Sequence, residues 1–194
     1  MKINKNYIFI CVLIIMAFFN QKCREENSIP KPKSYLRIDF PLKQYSLITS
    51  DCPYSFLIPD YSIWVNKFKD APDCYKTLIF PQFKAEIICS YKDIESNFFD
   101  LTEKVKSNAY EHSFKANAII EESWNNKQKD VYGYLYKIKG NVACKYMFYV
   151  TDSSKHFFTG ELLFQTRPNY DSLQVSISFI EEDIKKMIES FEWN

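Results

Sequence analysis

The sequence predicts an α+β fold in which an antiparallel sheet is covered by helices. Short strand-like runs follow one another directly, with turn-forming residues between them, and this order does not suit alternating βαβ units. Two amphipathic helical stretches lie between and after these runs. The 194 residues are enough for one domain with an extension. We therefore expect a single α+β domain at residues 35–194.

Strand-like runs occupy the first half of the predicted domain. Apolar, β-prone residues bounded by turn-forming residues predict strands at residues 54–58, 63–65, 78–80 and 85–91. Helical spacing then runs from Ile94 to about Phe114. Its apolar stripe, with charged residues between the members, consists of Phe98, Leu101, Val105 and Ala109.

A hairpin and a second helix organise the second half. Alternation from Val131 to Ile138 and the turn Lys139-Gly140-Asn141 predict a hairpin that returns through residues 143–150, with further strands at 118–124 and 157–166. Ser178 is the expected N-cap of the last helix, with Glu181 completing a capping box and Asp183 suiting the positive helix start. The apolar stripe of this helix is Ile180, Ile184, Met187, Ile188 and Phe191.

The N-terminus has the features of an export signal, which we place at residues 1–22. Lys2 and Lys5 precede the apolar run Tyr7–Phe19, which is too short for a bilayer core of about 30 Å and fits a signal-peptide core. Cys23 then stands where bacterial lipoproteins are acylated, although Lys22 replaces the usual small residue. Ordinary cleavage or an uncleaved anchor is the alternative. Residues 23–34 are expected to form a lipidated cysteine and a flexible tether.

The cysteines predict one disulfide. Cys52 and Cys74 both lie beside turn-forming residues and flank one excursion of the chain. An exported protein meets an oxidising compartment, so we expect these two to pair. Cys89 and Cys144 lie inside strand-like runs, as buried free thiols or as a second disulfide.

No motif in the sequence indicates catalysis, and we expect a protein that is not an enzyme and that holds no cofactor and no metal. C-x-x-C, H-E-x-x-H, G-x-S-x-G and glycine-rich phosphate motifs are absent from the sequence. A nucleophilic pair of Cys89 or Cys144 with His112 or His156 is left open. The formal net charge of +1 does not indicate a nucleic-acid partner.

Aromatic residues supply the candidate partner surfaces. The chain holds 14 Tyr, 17 Phe and 3 Trp. Tyr132, Tyr134 and Tyr136 form a stripe that is either a binding face or one half-buried sheet face under a helix. The second candidate contact is the segment that joins the tether to the domain, and its candidate residues are Tyr35, Arg37 and Asp39.

Several motifs, in order along nearly all of the chain after the signal, resemble the GldD family of gliding-motility lipoproteins from Bacteroidetes. They include Lys31-Pro32-Lys33, Tyr35-Leu36-Arg37-Ile38-Asp39-Phe40-Pro41, Asp51-Cys52-Pro53-Tyr54, Phe80-Pro81-Gln82-Phe83-Lys84, Val131-Tyr132-Gly133, Tyr149-Val150-Thr151-Asp152-Ser153-Ser154-Lys155-His156-Phe157 and Phe191-Glu192-Trp193. The weak lipoprotein box and the extra Cys89 and Cys144 depart from the family pattern.

The resemblance implies a non-catalytic lipoprotein of the cell envelope, required for gliding motility and for assembly or stability of the type IX secretion apparatus. It also implies a lipid anchor of the palmitate type at Cys23, a periplasm-facing position at the outer membrane, and other gliding lipoproteins as partners. The order of elements is similar to the PsbP-like α/β/α sandwich. The alternative function is a ligand-binding envelope module that uses an aromatic sheet face.

Overall fold

An antiparallel sheet of seven strands organises the described part of the chain. The computed structural model describes residues 39–48 and 51–194. Its strands are β1 Tyr45–Leu47, β2 Tyr54–Ser55, β3 Leu57–Pro59, β4 Ile63–Val65, β5 Lys76–Phe80, β6 Ala85–Asp93, β7 Ala116–Asn126, β8 Val131–Gly140, β9 Cys144–Thr151, β10 His156–Phe164 and β11 Glu192–Trp193. The helices are α1 Phe98–Tyr110 and α2 Tyr170–Ser190, and a 3₁₀ turn covers Pro81–Phe83.

The strand order of the main sheet is β4-β5-β6-β10-β9-β8-β7, and every neighbouring pair is antiparallel. The side chains of a strand alternate between the two faces of a sheet. On β8, Leu135 packs into the core under α2, whereas its neighbour Tyr136 packs into the core under α1. The sheet therefore has a helix on each face, which confirms the predicted α+β fold with a helix-covered antiparallel sheet.

The apolar stripes predicted on the two helices are the faces that the helices bury. Leu101, Val105 and Ala109 of α1 are buried, and Phe98 packs partly against them. On α2, the buried stripe residues are Ile180, Ile184, Met187 and Ile188, with Phe191 directly after the helix.

The predicted start of α2 at Ser178 is wrong. The helix begins at Tyr170, after the N-cap Asn169, and Ser178 lies inside it. The Asn169 side chain accepts from the Ser172 N–H at 3.4 Å, and Asn141 Oδ1 accepts from the Tyr170 N–H at 2.8 Å. Asn169 caps this end as efficiently as a serine would. Asn141 comes from the β8–β9 turn, so part of the start is set by tertiary contact.

Smaller differences concern the ends of elements. α1 begins at Phe98, after the N-cap Asn97, and Ile94 before it is held to the β9–β10 turn by a hydrogen bond from its N–H to the Lys155 carbonyl at 2.8 Å. Strands β1 and β11 were not expected from the sequence. Strand β1 pairs with the nearby β3, whereas β11 at the C-terminal end pairs with β2 in the first part of the domain. Strands of two or three residues form because they pair with a neighbouring strand, and they are too short to show an alternating pattern of apolar and polar residues.

The Cys52–Cys74 disulfide is present, as expected from the turn residues beside both cysteines. Cys89 and Cys144 are buried free thiols. Cys89 belongs to the core under α2 and Cys144 to the core under α1, so the sheet separates them. The open alternative of a second disulfide is thereby excluded.

The signal segment 1–22, Cys23, the tether and the candidate residues Tyr35 and Arg37 lie outside the described residues. Within residues 39–48 and 51–194, neither helix combines the length and hydropathy that crossing a bilayer requires.

Candidate interaction surfaces

An open aromatic groove lies on the α1 side of the sheet. We define it by Phe98, Tyr132, Tyr134 and Tyr149, which line a space of about 440 Å³ with neighbouring polar residues. The ring centroids of Tyr134 and Tyr149 are 6.0 Å apart, and Tyr134 is 40% exposed. Paired aromatic rings with one face open to solvent are typical of contact surfaces.

The groove is open because α1 is short. The helix covers Tyr136, which is only 3% exposed and whose burial raises the pKa of its phenol. The predicted tyrosine stripe therefore divides: Tyr136 belongs to the core, Tyr134 is exposed, and Tyr132 is half-buried, with its hydroxyl 3.4 Å from Asp130 Oδ1. The interpretation as a buried sheet face under a helix applies to Tyr136, and the binding face stays a prediction, with Tyr134 as its exposed residue.

Gly133 makes the groove geometry possible. It stands between Tyr132 and Tyr134 on β8, where a Cβ atom would lie 2.0 Å from the Tyr149 carbonyl oxygen. Any side chain at this position would push β8 and β9 apart. The spacing of Tyr134 and Tyr149 therefore depends on this glycine.

The segment that follows the tether is fixed to the domain at its described end. Gln82 Nε2 donates to the Asp39 carbonyl oxygen at 2.8 Å. The Phe40 ring stacks on Phe179 at 4.4 Å and on Phe83 at 5.9 Å between centroids. Asp39, the candidate residue of this segment that lies within the described part of the chain, is exposed on the surface.

A buried acid of α2, Asp183, also attaches this segment, through Lys43 and Tyr45. Asp183 of α2 is 1% exposed, and it accepts hydrogen bonds from Lys43 Nζ at 2.8 Å, Tyr45 at 2.8 Å and Tyr61 at 2.5 Å. Burial and these bonds to the carboxylate raise the pKa of both tyrosine hydroxyls. We call these four residues the Asp183 clamp. Sequence reasoning missed it, because Asp183 looked like an ordinary acid of a helix start.

A second carboxylate network joins α2 to the sheet. Glu181 accepts from Lys137 at 2.6 Å, from Lys185 at 3.0 Å and from the Tyr146 hydroxyl at 2.6 Å. Burial opposes ionisation of this carboxyl, but the three donors outweigh it and lower the pKa of Glu181 to about 2.

Three of the four groups that the sequence left as catalytic candidates, Cys89, Cys144 and His156, have structural partners. The thiols of Cys89 and Cys144 contact backbone carbonyls at 3.8 and 3.3 Å, and burial raises the pKa of both, to about 12 for Cys144. His156 Nδ1 lies 2.7 Å from the Tyr91 hydroxyl, and its ring stacks on Trp193. The described residues contain no group of three or more side chains placed to hold a metal ion.

Comparison with known proteins gives a family and one structural likeness. A solved structure of cyanobacterial PsbP from Synechocystis sp. PCC 6803 is 13% identical, with a TM-score of 0.47, and the match covers 79% of this chain and 95% of that one. No curated protein sequence matches the chain. The sequence profile of the family described as gliding motility lipoprotein GldD matches residues 25–193. The chain belongs to the GldD family of gliding motility lipoproteins.

Proposed function

We propose that this lipoprotein is a non-catalytic assembly factor, which binds another lipoprotein of the gliding and type IX secretion apparatus through the aromatic groove. Family membership supports a role in gliding motility and a lipid-anchored place in the cell envelope. The aromatic groove is the observation that carries the binding role, since Tyr134 is exposed beside a helix too short to cover it, and the other rings of the groove line the same opening.

The composition of the groove suits a protein partner. Tyrosine offers a large apolar area and a polar tip, and it is enriched among residues that dominate binding energy. Phe99, next to Phe98 on α1, is 71% exposed. Single exposed apolar residues need no explanation, but Phe98, Tyr132 and Tyr134 line one opening, which is the arrangement that indicates an interaction site.

The partners of the thiols and of His156 support the non-catalytic part of the proposal. A cysteine nucleophile acts as its thiolate and needs a base within hydrogen-bond reach. Cys144 is protonated at neutral pH, because burial raises its pKa to about 12. Its hydrogen bond goes to the Tyr146 carbonyl and not to a histidine.

In this proposal, acylated Cys23 anchors the protein in the outer membrane, and the domain faces the periplasm. Stable attachment needs more than one acyl chain. A Cys23→Ser variant is expected to move from the membrane fraction to the soluble envelope fraction. Full retention in the membrane fraction would assign the anchor to the signal helix or to a partner.

Complementation of a deletion strain tests the binding role. Deletion should stop gliding and deplete at least one neighbouring gliding lipoprotein. Tyr134→Ser, expressed at the normal level, should reproduce both effects. Val175→Ser is the matched control, because Val175 is 42% exposed against 40% for Tyr134 and lies on α2. Normal gliding with Tyr134→Ser would contradict the assignment of the groove.

Substitution of the histidines tests whether the protein is non-catalytic. His112→Gln and His156→Gln, made singly, should leave gliding and secretion largely intact wherever the protein is stable. Removal of a catalytic group usually costs orders of magnitude in rate. A stable histidine variant that abolishes motility while the other lipoproteins remain at normal levels would favour an enzyme.

The second candidate function is a ligand-binding envelope module that uses the same groove. The hydroxyl-bearing residues Thr151 and Ser153 line it together with the aromatic rings, and such a mixture is typical of small-molecule sites. Native mass spectrometry of the purified protein separates the two functions. A bound small molecule that is lost in Tyr134→Ser would favour the ligand-binding module.

A further inference from the structure

A polar cleft lies on the α2 side of the sheet, opposite the aromatic groove. It encloses about 220 Å³ between the first half of α2 and strands β8 and β9. We call it the lysine cleft and define it by six of its lining residues: Lys137, Lys139, Lys145, Tyr170, Gln174 and Ser178.

Lys145 is the unusual member, because it is 2% exposed. Leu162 pairs with Tyr146 and Leu163 with Cys144, so Lys145 is an extra residue in β9. A bulge of this kind re-aims a side chain. Lys145 Nζ donates to the Gly140 carbonyl at 2.7 Å and lies 5.5 Å from the centre of the Tyr170 ring, at the start of α2.

The charge of Lys145 has no counter-ion among the described residues. The carboxylate of Glu181 also lines the cleft, but it is engaged by Lys137, Lys185 and Tyr146 instead of Lys145. Burial lowers the pKa of Lys145, as expected for a cation held away from water. Burying a charge without a partner costs free energy, so this lysine is a candidate ligand-binding group.

We propose that the lysine cleft binds a small anion with a carboxylate or phosphate group, which supplies the counter-charge of Lys145. The exposed Lys139 stands at the rim, and Gln174 and Ser178 offer further donors. Pockets for drug-sized ligands enclose about 300–1,000 Å³, so this smaller cleft suits a compact anion. The inference is independent of the aromatic groove and of the assembly role.

Thermal unfolding of the full-length protein in detergent, with added inorganic phosphate or acetate, tests the proposal. A chloride salt keeps the ionic strength equal in all samples, because a change in ionic strength alone alters the electrostatic contributions to stability. A ligand that binds only the folded state raises the unfolding temperature in a saturable way. At least one of the two anions should do so for the wild type, and the one that does identifies phosphate or carboxylate as the preferred group.

Lys145→Met should weaken the apparent affinity for that anion by at least about tenfold, the equivalent of one buried charge-assisted contact. Lys106→Met is the matched control, since it removes one positive charge from an exposed site on α1; it should respond like the wild type. An equal response of Lys145→Met, or no response of the wild type to either anion, overturns the proposal. If Lys145→Met folds poorly, the affinity of Lys139→Met for the anion is measured instead. An unchanged affinity in Lys139→Met would overturn the proposal.

Discussion

The two faces of the sheet are built differently. Within the described residues, 24 buried hydrophobic residues form the core under α2, against 10 under α1. The 21-residue α2 is also tied down by the Asp183 clamp and by Glu181. The 13-residue α1 leaves Tyr134 open beside it. The difference indicates that the α2 face supplies most of the core, and for this reason we propose the α1 face as the partner surface.

Removing the Asp183 carboxylate should give the largest loss of stability. Asp183→Ala leaves two tyrosine hydroxyls and the Lys43 ammonium without their shared acceptor. Breaking a buried ion pair from one side costs about 3–5 kcal/mol. Urea unfolding measures the change, and Asp183→Asn, which keeps one acceptor oxygen, should lose less. A loss below about 1 kcal/mol for the alanine variant would show that the clamp does not stabilise the α2 face.

A pair of truncations compares the two faces directly. Ile184→Ala empties a fully buried position under α2 and should cost about 2–5 kcal/mol. Phe99→Ala removes a ring that is 71% exposed on α1 and should change stability by no more than about 0.5 kcal/mol. Gliding should follow protein level for Ile184→Ala. Normal stability with lost gliding for this variant would instead make the α2 face a partner surface.

Unfolding measured over a range of pH tests the contribution of Glu181 to stability. The pKa of this carboxyl falls from an ordinary 4.5 to about 2 in the folded protein. A group with a lowered folded pKa stabilises fully above its unfolded pKa, and this contribution is lost as the pH falls towards the folded value. The free energy of unfolding of the wild type minus that of Glu181→Gln should therefore shrink between about pH 4.5 and pH 2. A constant difference over this range would contradict the network.

The periodic parts of the fold are those that the sequence predicts well. The helix stripes around Leu101 and Ile184 and the hairpin with its turn at Gly140 match the structure, because local spacing alone determines which side chains are buried together. The start of α2 at Tyr170, after the N-cap Asn169, was not predicted, since Ser178 and Glu181 match the pattern of a capping box inside a longer helix.

The interaction surfaces were only partly predictable. The alternation on β8 indicated the tyrosine stripe, but which tyrosine stays open depends on the length of α1, which is a tertiary property. The Asp183 clamp joins residues about 140 positions apart, and the bulge at Lys145 is visible only in the pairing of β9 with β10. No local sequence pattern predicts these contacts.

Site-specific photocrosslinking in intact cells tests whether the aromatic groove contacts another gliding lipoprotein. A photoreactive phenylalanine replaces Tyr134 in the aromatic groove or Val175 on α2, two positions that are 40% and 42% exposed. We expect a crosslink from position 134 to another lipoprotein of the gliding apparatus, and none from position 175. Crosslinks from position 175 alone, or from neither position in cells that glide normally, would contradict it.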